Sequence, residues 1–110
     1  MEEIIIKYSP AVEQYLNDLV DILFEKTYFS YKENAIEYVL KIISDVETNI
    51  HTRKQQKTPD ALKHYGQLYI SYKSSKRTMW YVFFTKKEHF YIIKHMTNNH
   101  MATAQFLNHL

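Results

Sequence analysis

Residues 67–85, QLYISYKSSKRTMWYVFFT, decide the fold. Leu68, Ile70 and Tyr72 alternate with Tyr69, Ser71 and Lys73, the period of a half-buried strand. The polar link SSKR then gives way to TMWYVFFT, which is apolar on both faces, as a central strand is. A third β-like run, HFYIIKHM at 89–96, follows the short link KKE. It sets Phe90, Ile92, Lys94 and Met96 against Tyr91, Ile93 and His95. Links this short predict a three-stranded antiparallel meander.

Upstream, Glu2 to Tyr8 reads as one further strand, with Ile4, Ile6 and Tyr8 on one side. Ser9 and Pro10 supply a cap and a first helical residue. A helix is expected from there to about Lys26, with an apolar stripe of Val12, Leu16, Leu19, Val20, Leu23 and Phe24. Ser30 and Glu33 form a capping box for a second helix over 31–50. Its buried face is expected to hold Ala35, Ile36, Val39, Leu40, Ile43, Val46 and Ile50. The short connection makes the pair an antiparallel helical hairpin. Residues 51–66 read as a basic irregular stretch with a turn at Pro59-Asp60 and the only glycine, Gly66, just before the meander. A short C-terminal helix is expected to carry Ala102, Phe106 and Leu110 on one side, with Asn98 or Asn99 as its cap. The order β-α-α-β-β-β-α defines an α+β class: one sheet, a helical hairpin on one face, and a second face left open.

The 110 residues suit one domain, 1–110, with 45% hydrophobic and 24% charged residues. No cysteine is present, so disulfides, thiol catalysis and cysteine metal sites are excluded. The three isoleucines near the start are flanked by Glu2, Glu3 and Lys7, so neither a signal peptide nor a membrane span is expected. This composition suits a cytoplasmic protein. Charge is divided along the chain. Residues 1–50 carry ten acids and four bases; residues 51–110 carry ten bases, two acids and all six histidines. A basic half suits a nucleic acid or an acidic protein, and the two halves also attract each other within the fold.

The segments EIIIKYS, SYKENAIEYVLKII, LYISYKSSKRTMWYVFF and FYIIKHMTNNH together resemble the RelE/ParE family of bacterial type II toxins. The resemblance spans nearly the whole chain, and its most specific part is the SSKR hairpin entering WYVF. It implies a cytosolic, growth-inhibiting toxin neutralised by a small acidic antitoxin, with room for a homodimer. RelE-like members cut mRNA in the ribosome; ParE-like members inhibit DNA gyrase. A third reading is an inactive relative that only binds a partner. The nuclease positions of the family's first meander strand fall on Tyr69 and Ser71 here, so two bases are missing. That departure favours an inhibitor of gyrase or another host protein, without catalysis, over a ribonuclease.

RNA cleavage needs a base for the ribose hydroxyl, a cation for the phosphate charge and an acid for the leaving oxygen. The catalytic candidates are therefore Arg77, His95 and His100. Each has a plainer reading: a solvated turn charge, a packed strand histidine, and a residue at a helix start. Arg53, Lys54, Lys57, Lys73, Lys76 and Arg77 are candidate nucleic-acid contacts, which would track a phosphate backbone without reading bases. Lys63 and His64 extend the same basic stretch. No cofactor motif appears, and the histidines lack metal-ligand spacing, so neither a cofactor nor a metal is expected.

Overall fold

A computed structural model describes residues 3–25 and 31–99. Strand β1 (Ile5–Tyr8) leads into α1 (Pro10–Glu25), and α2 (Lys32–Asn49) follows. The rest builds the sheet: β2 (Gln56–Lys57), β3 (Leu68–Lys73), β4 (Met79–Lys87) and β5 (Phe90–Asn98). A 3-10 segment, Asp60–Tyr65, precedes β3. The fold is α+β, and the sheet has five strands in the order β1-β5-β4-β3-β2. The meander β3-β4-β5 is antiparallel as expected, but it is the middle of a larger mixed sheet. β1 joins its far side in parallel with β5, and the two-residue β2 joins at β3. The C-terminal helix expected from the sequence lies outside the described residues.

Local chemistry accounts for the helix start. Ser9 Oγ accepts the Val12 N–H at 3.3 Å and the Ser9 carbonyl accepts that of Glu13, so Ser9 caps α1 as its sequence suggested. At α2 the N-cap position is Tyr31, with extended backbone and no capping side-chain bond. The Ser30 half of the expected capping box lies outside the described residues.

Both helices pack on one face of the sheet. Val12 and Leu16 of α1 and Val39, Ile42 and Val46 of α2, with Ile50 just beyond, meet Ile70, Tyr72, Trp80, Val82, Phe84, Tyr91, Ile93 and Met96. Burying a large apolar side chain fully contributes roughly 1.5–3 kcal/mol, so this cluster dominates stability. The stripe on α2 differs from the expected one. Ile42 is buried, whereas Ile36 and Leu40 are 42% and 58% exposed. They lie on the flank of the helix, one step round from the Ala35–Val39–Ile42–Val46 line that meets the sheet. Phe24, expected on the buried stripe of α1, is also exposed.

The second face, expected to be open, is covered over part of its extent. Leu62 of the 3-10 segment is buried against Tyr69 and Phe83, and Tyr65 and Tyr81 pack beside them. The stretch that reads as an irregular basic loop thus folds back as a cover. Its exit is Gly66, at φ +152°, where the backbone passes so close to β4 that a Cβ would sit 2.9 Å from Phe84 N.

Candidate functional site

The site begins with an irregularity in β5. Phe83 of β4 stands opposite His95, but the next residue, Phe84, stands opposite Ile93. One extra residue, Lys94, is inserted into β5 there, which is a β-bulge. A bulge reverses the alternation beyond it. Tyr91 and Ile93 face the helices; after the bulge that face passes to Met96, and His95 turns to the opposite side. The sequence alternation placed His95 on the face of Tyr91 and Ile93. The inserted residue overturns that assignment.

On the second face His95 meets aromatic rings. Tyr65 stacks flat on it, with centroids 3.8 Å apart and planes 10° apart. Phe83 is 5.8 Å away, and His64 lies 4.0 Å from the other partner of the stack, Tyr65. Tyr69 and Tyr81 continue the row; the Tyr69 hydroxyl donates to Gln56 Oε1 at 3.2 Å. Nε2 of His95 is buried and has no hydrogen-bond partner among the described residues. Burial, and then the proximity of His64, lowers the His95 pKa below the ordinary histidine value. The imidazole is consequently neutral at pH 7. It has the protonation state of a base, but Tyr65 lies over its ring.

The cations take other positions. Lys76 and Arg77 occupy the exposed turn between β3 and β4, closed by Ser74 N–H donating to Thr78 O at 3.0 Å. Asn99 fixes this turn to the end of β5. Its side-chain amide donates to Arg77 O at 3.0 Å, and its side-chain oxygen accepts the Met79 N–H at 3.0 Å. The helix that Asn98 or Asn99 was expected to cap lies outside the described residues; the Asn99 side chain bridges two strand ends. Arg77 lies six residues before Phe83, the register partner of His95. At about 3.3 Å per residue, the four strand steps from Met79 to Phe83 already span roughly 13 Å, and Arg77 lies in the turn beyond them. Arg77 and His95, paired in the sequence reading, are not brought together. His100 lies outside the described residues.

Of the candidate nucleic-acid contacts, Arg53 and Lys73 converge. Arg53 Nε donates to Ser71 O at 3.0 Å, and both residues line one cleft with Lys41, Asp45, Asn49 and Tyr72. Lys54 and Lys57 are exposed toward the β2 edge. Sequence reading missed Tyr65, Lys41 and Asn49. Tyr65 carried no signal, since nothing in a basic loop marks one tyrosine as the cover of a strand 30 residues later. Lys41 and Asn49 share a helical face at eight-residue spacing, but that face faces the Arg53 side chain only after folding. Compared with known proteins, the chain matches no family model, no curated protein and no solved structure.

Proposed function

We propose that this chain is the toxin component of a type II toxin–antitoxin pair and inhibits growth by binding a host target, DNA gyrase or another host protein, rather than by cleaving RNA. The observation that carries the choice between binding and cleavage is the separation of the chemistry. The neutral imidazole of His95 lies under Tyr65, and the cation Arg77 sits in the turn beyond the start of β4, more than roughly 13 Å along the sheet. General acid–base catalysis needs its groups within hydrogen-bond reach of one substrate, so this arrangement favours a contact surface. The toxin assignment itself rests on the resemblance of the four sequence segments.

The surface also suits the antitoxin. Beyond the 3-10 cover, the second face runs on as two cross-strand rows. Ile5, Phe90 and Lys87 form one, and Lys7, Ile92 and Thr85 the other. Phe90 and Ile92 are about two-fifths exposed, and Lys7 and Lys87 are exposed beside them. Apolar side chains bordered by lysines fit an acidic segment that folds on contact.

The test is expression of the chain alone in bacteria, with growth, cellular RNA ends and DNA integrity followed together. Growth arrest with intact mRNA supports the proposal. Codon-phased mRNA cuts would replace it with the ribonuclease reading, and unimpaired growth would leave only an inactive binding module.

A further inference from the structure

A second site lies on the opposite flank, in a cleft of about 360 Å³ between the C-terminal half of α2 and the end of β3. We propose that this cleft binds a phosphate-class oxyanion, either free phosphate or the phosphate of a nucleotide. The inference is independent of the growth-inhibition reading.

Its walls are polar. Lys41, Asp45 and Asn49 come from successive turns of α2, Arg53 from the loop after it, and Tyr72 and Lys73 from β3. Three cations therefore face one carboxylate, an excess of two positive charges. A phosphate monoester carries about −1.5 to −2 at pH 7 and matches that excess. Arg53 is already oriented. Its Nε is held by Ser71 O at 3.0 Å, which leaves the two terminal nitrogens of the guanidinium to form the bidentate fork that suits a phosphate. Holding the guanidinium in advance reduces the ordering cost of binding. Lys41 is held in the cleft by Asp45 at 3.1 Å, and Asn49 is fixed by donating to Asp45 O. The Tyr72 hydroxyl donates weakly to Ile42 O at 3.5 Å.

One term opposes an anion here, because the C-terminus of α2 presents the negative end of the helix dipole. Its last carbonyls are largely occupied, however. Ile50 N–H donates to Val46 O, Thr52 Oγ1 to Thr48 O, and the Thr52 and Arg53 N–H groups to Asn49 O. That leaves Asp45 as the principal repulsive group in the cleft, and this makes the inference sharply testable.

Inorganic phosphate and adenosine 5′-monophosphate would be titrated separately into the ¹⁵N-labelled full chain at constant ionic strength. The expected result is saturable shifts at Asn49, Arg53 and Lys73, with a Kd on the order of 1 mM. Similar affinities for both would identify the phosphate group as the ligand; tighter nucleotide binding would identify nucleotides as its source. Lys73→Met and Arg53→Met should each weaken binding by about fivefold or more, a loss of roughly 1 kcal/mol. Lys73 is exposed at the end of β3, so its variant keeps the fold. Lys76→Met, outside the cleft, should change little. Asp45→Asn should tighten binding by about threefold or more, because it removes the carboxylate and frees Lys41; a folding defect cannot imitate this gain. No gain in Asp45→Asn, or shifts spread equally over Lys54, Lys57, Lys76 and Arg77, would overturn the proposal.

Discussion

Gly66→Ala tests the cover of the second face at its tightest point. Two costs combine there. The φ of +152° with ψ 162° is a backbone region essentially reserved for glycine, and forcing another residue into it costs on the order of 1–3 kcal/mol. The new methyl would also sit 2.9 Å from Phe84 N, 3.1 Å from Phe84 O and 3.3 Å from the Phe83 carbonyl carbon. These are backbone atoms of the central strand β4, opposite the bulge in β5, and they cannot rotate away. Overpacking of this kind adds roughly 1–3 kcal/mol. The lower entropy of an unfolded alanine returns only about 0.4–1 kcal/mol. A net loss of about 3 kcal/mol is expected, a large share of a small domain's total. Urea denaturation would measure it, and at roughly 4 °C per kcal/mol the melting temperature should fall by about 12 °C. Should the 3-10 segment detach while the sheet survives, the loss shrinks, but the Tyr65 ring leaves His95 and the ring-current shift of the His95 protons disappears. A variant within about 0.5 kcal/mol of the parent that keeps this shift would refute the reasoning.

Four further outcomes follow from the same structure. Thr58 Oγ1 is buried without a partner among the described residues, so Thr58→Val, of equal shape, should be neutral or stabilise by up to about 1 kcal/mol in chemical denaturation. Glu88 holds a positive φ of 57° in the β4–β5 turn; Glu88→Gly should relieve it and stabilise by about 0.5–1 kcal/mol. Asn99→Ala removes two hydrogen bonds between strand ends and should cost roughly 1–2 kcal/mol, with amide exchange accelerating first at Met79. The pKa of His95 is depressed in the folded chain, so the unfolded chain binds more protons once pH falls below about 6.5. The contribution of His95 to stability is therefore complete above that pH and is lost as pH falls toward the folded value, at no more than about 1.4 kcal/mol per pH unit. His95→Phe keeps the stack and should flatten that slope relative to the parent; equal slopes would count against it.

What the sequence reveals and what it hides follow from the range of the interactions. The Ser9-Pro10 cap, both helices and the three meander strands are written in local periodicity and lie close to where the pattern put them; the first strand, expected over 2–8, is confined to 5–8 among the described residues. The bulge at Lys94 is not. Ile93, Lys94 and His95 alternate as well without an insertion as with one, and only the pairing with Phe83 and Phe84 shows which residue is extra. The exposure of Ile36 and Leu40 is hidden for a related reason. An apolar residue one step off the contact line looks identical to one on it until the sheet fixes the helix's rotation. For the site, Arg53 and Lys73 were legible as cations and Arg77 as a turn charge. Their division between a cleft and a turn was not, because it depends on where the loop after α2 meets β3.

The parallel pairing of β1 with β5 has a consequence for how the chain is made. Ile5 to Tyr8 is translated more than 80 residues before its sheet neighbour, Phe90 to Ile93. Until then the strand has no edge to join, and the helices have only part of the surface they finally cover. Long-range pairing of this sort slows folding, since a large loop must close before the contact is rewarded. The final assembly of the sheet therefore waits on β5, and the isoleucine-rich β1 spends the interval as a candidate for wrong partners.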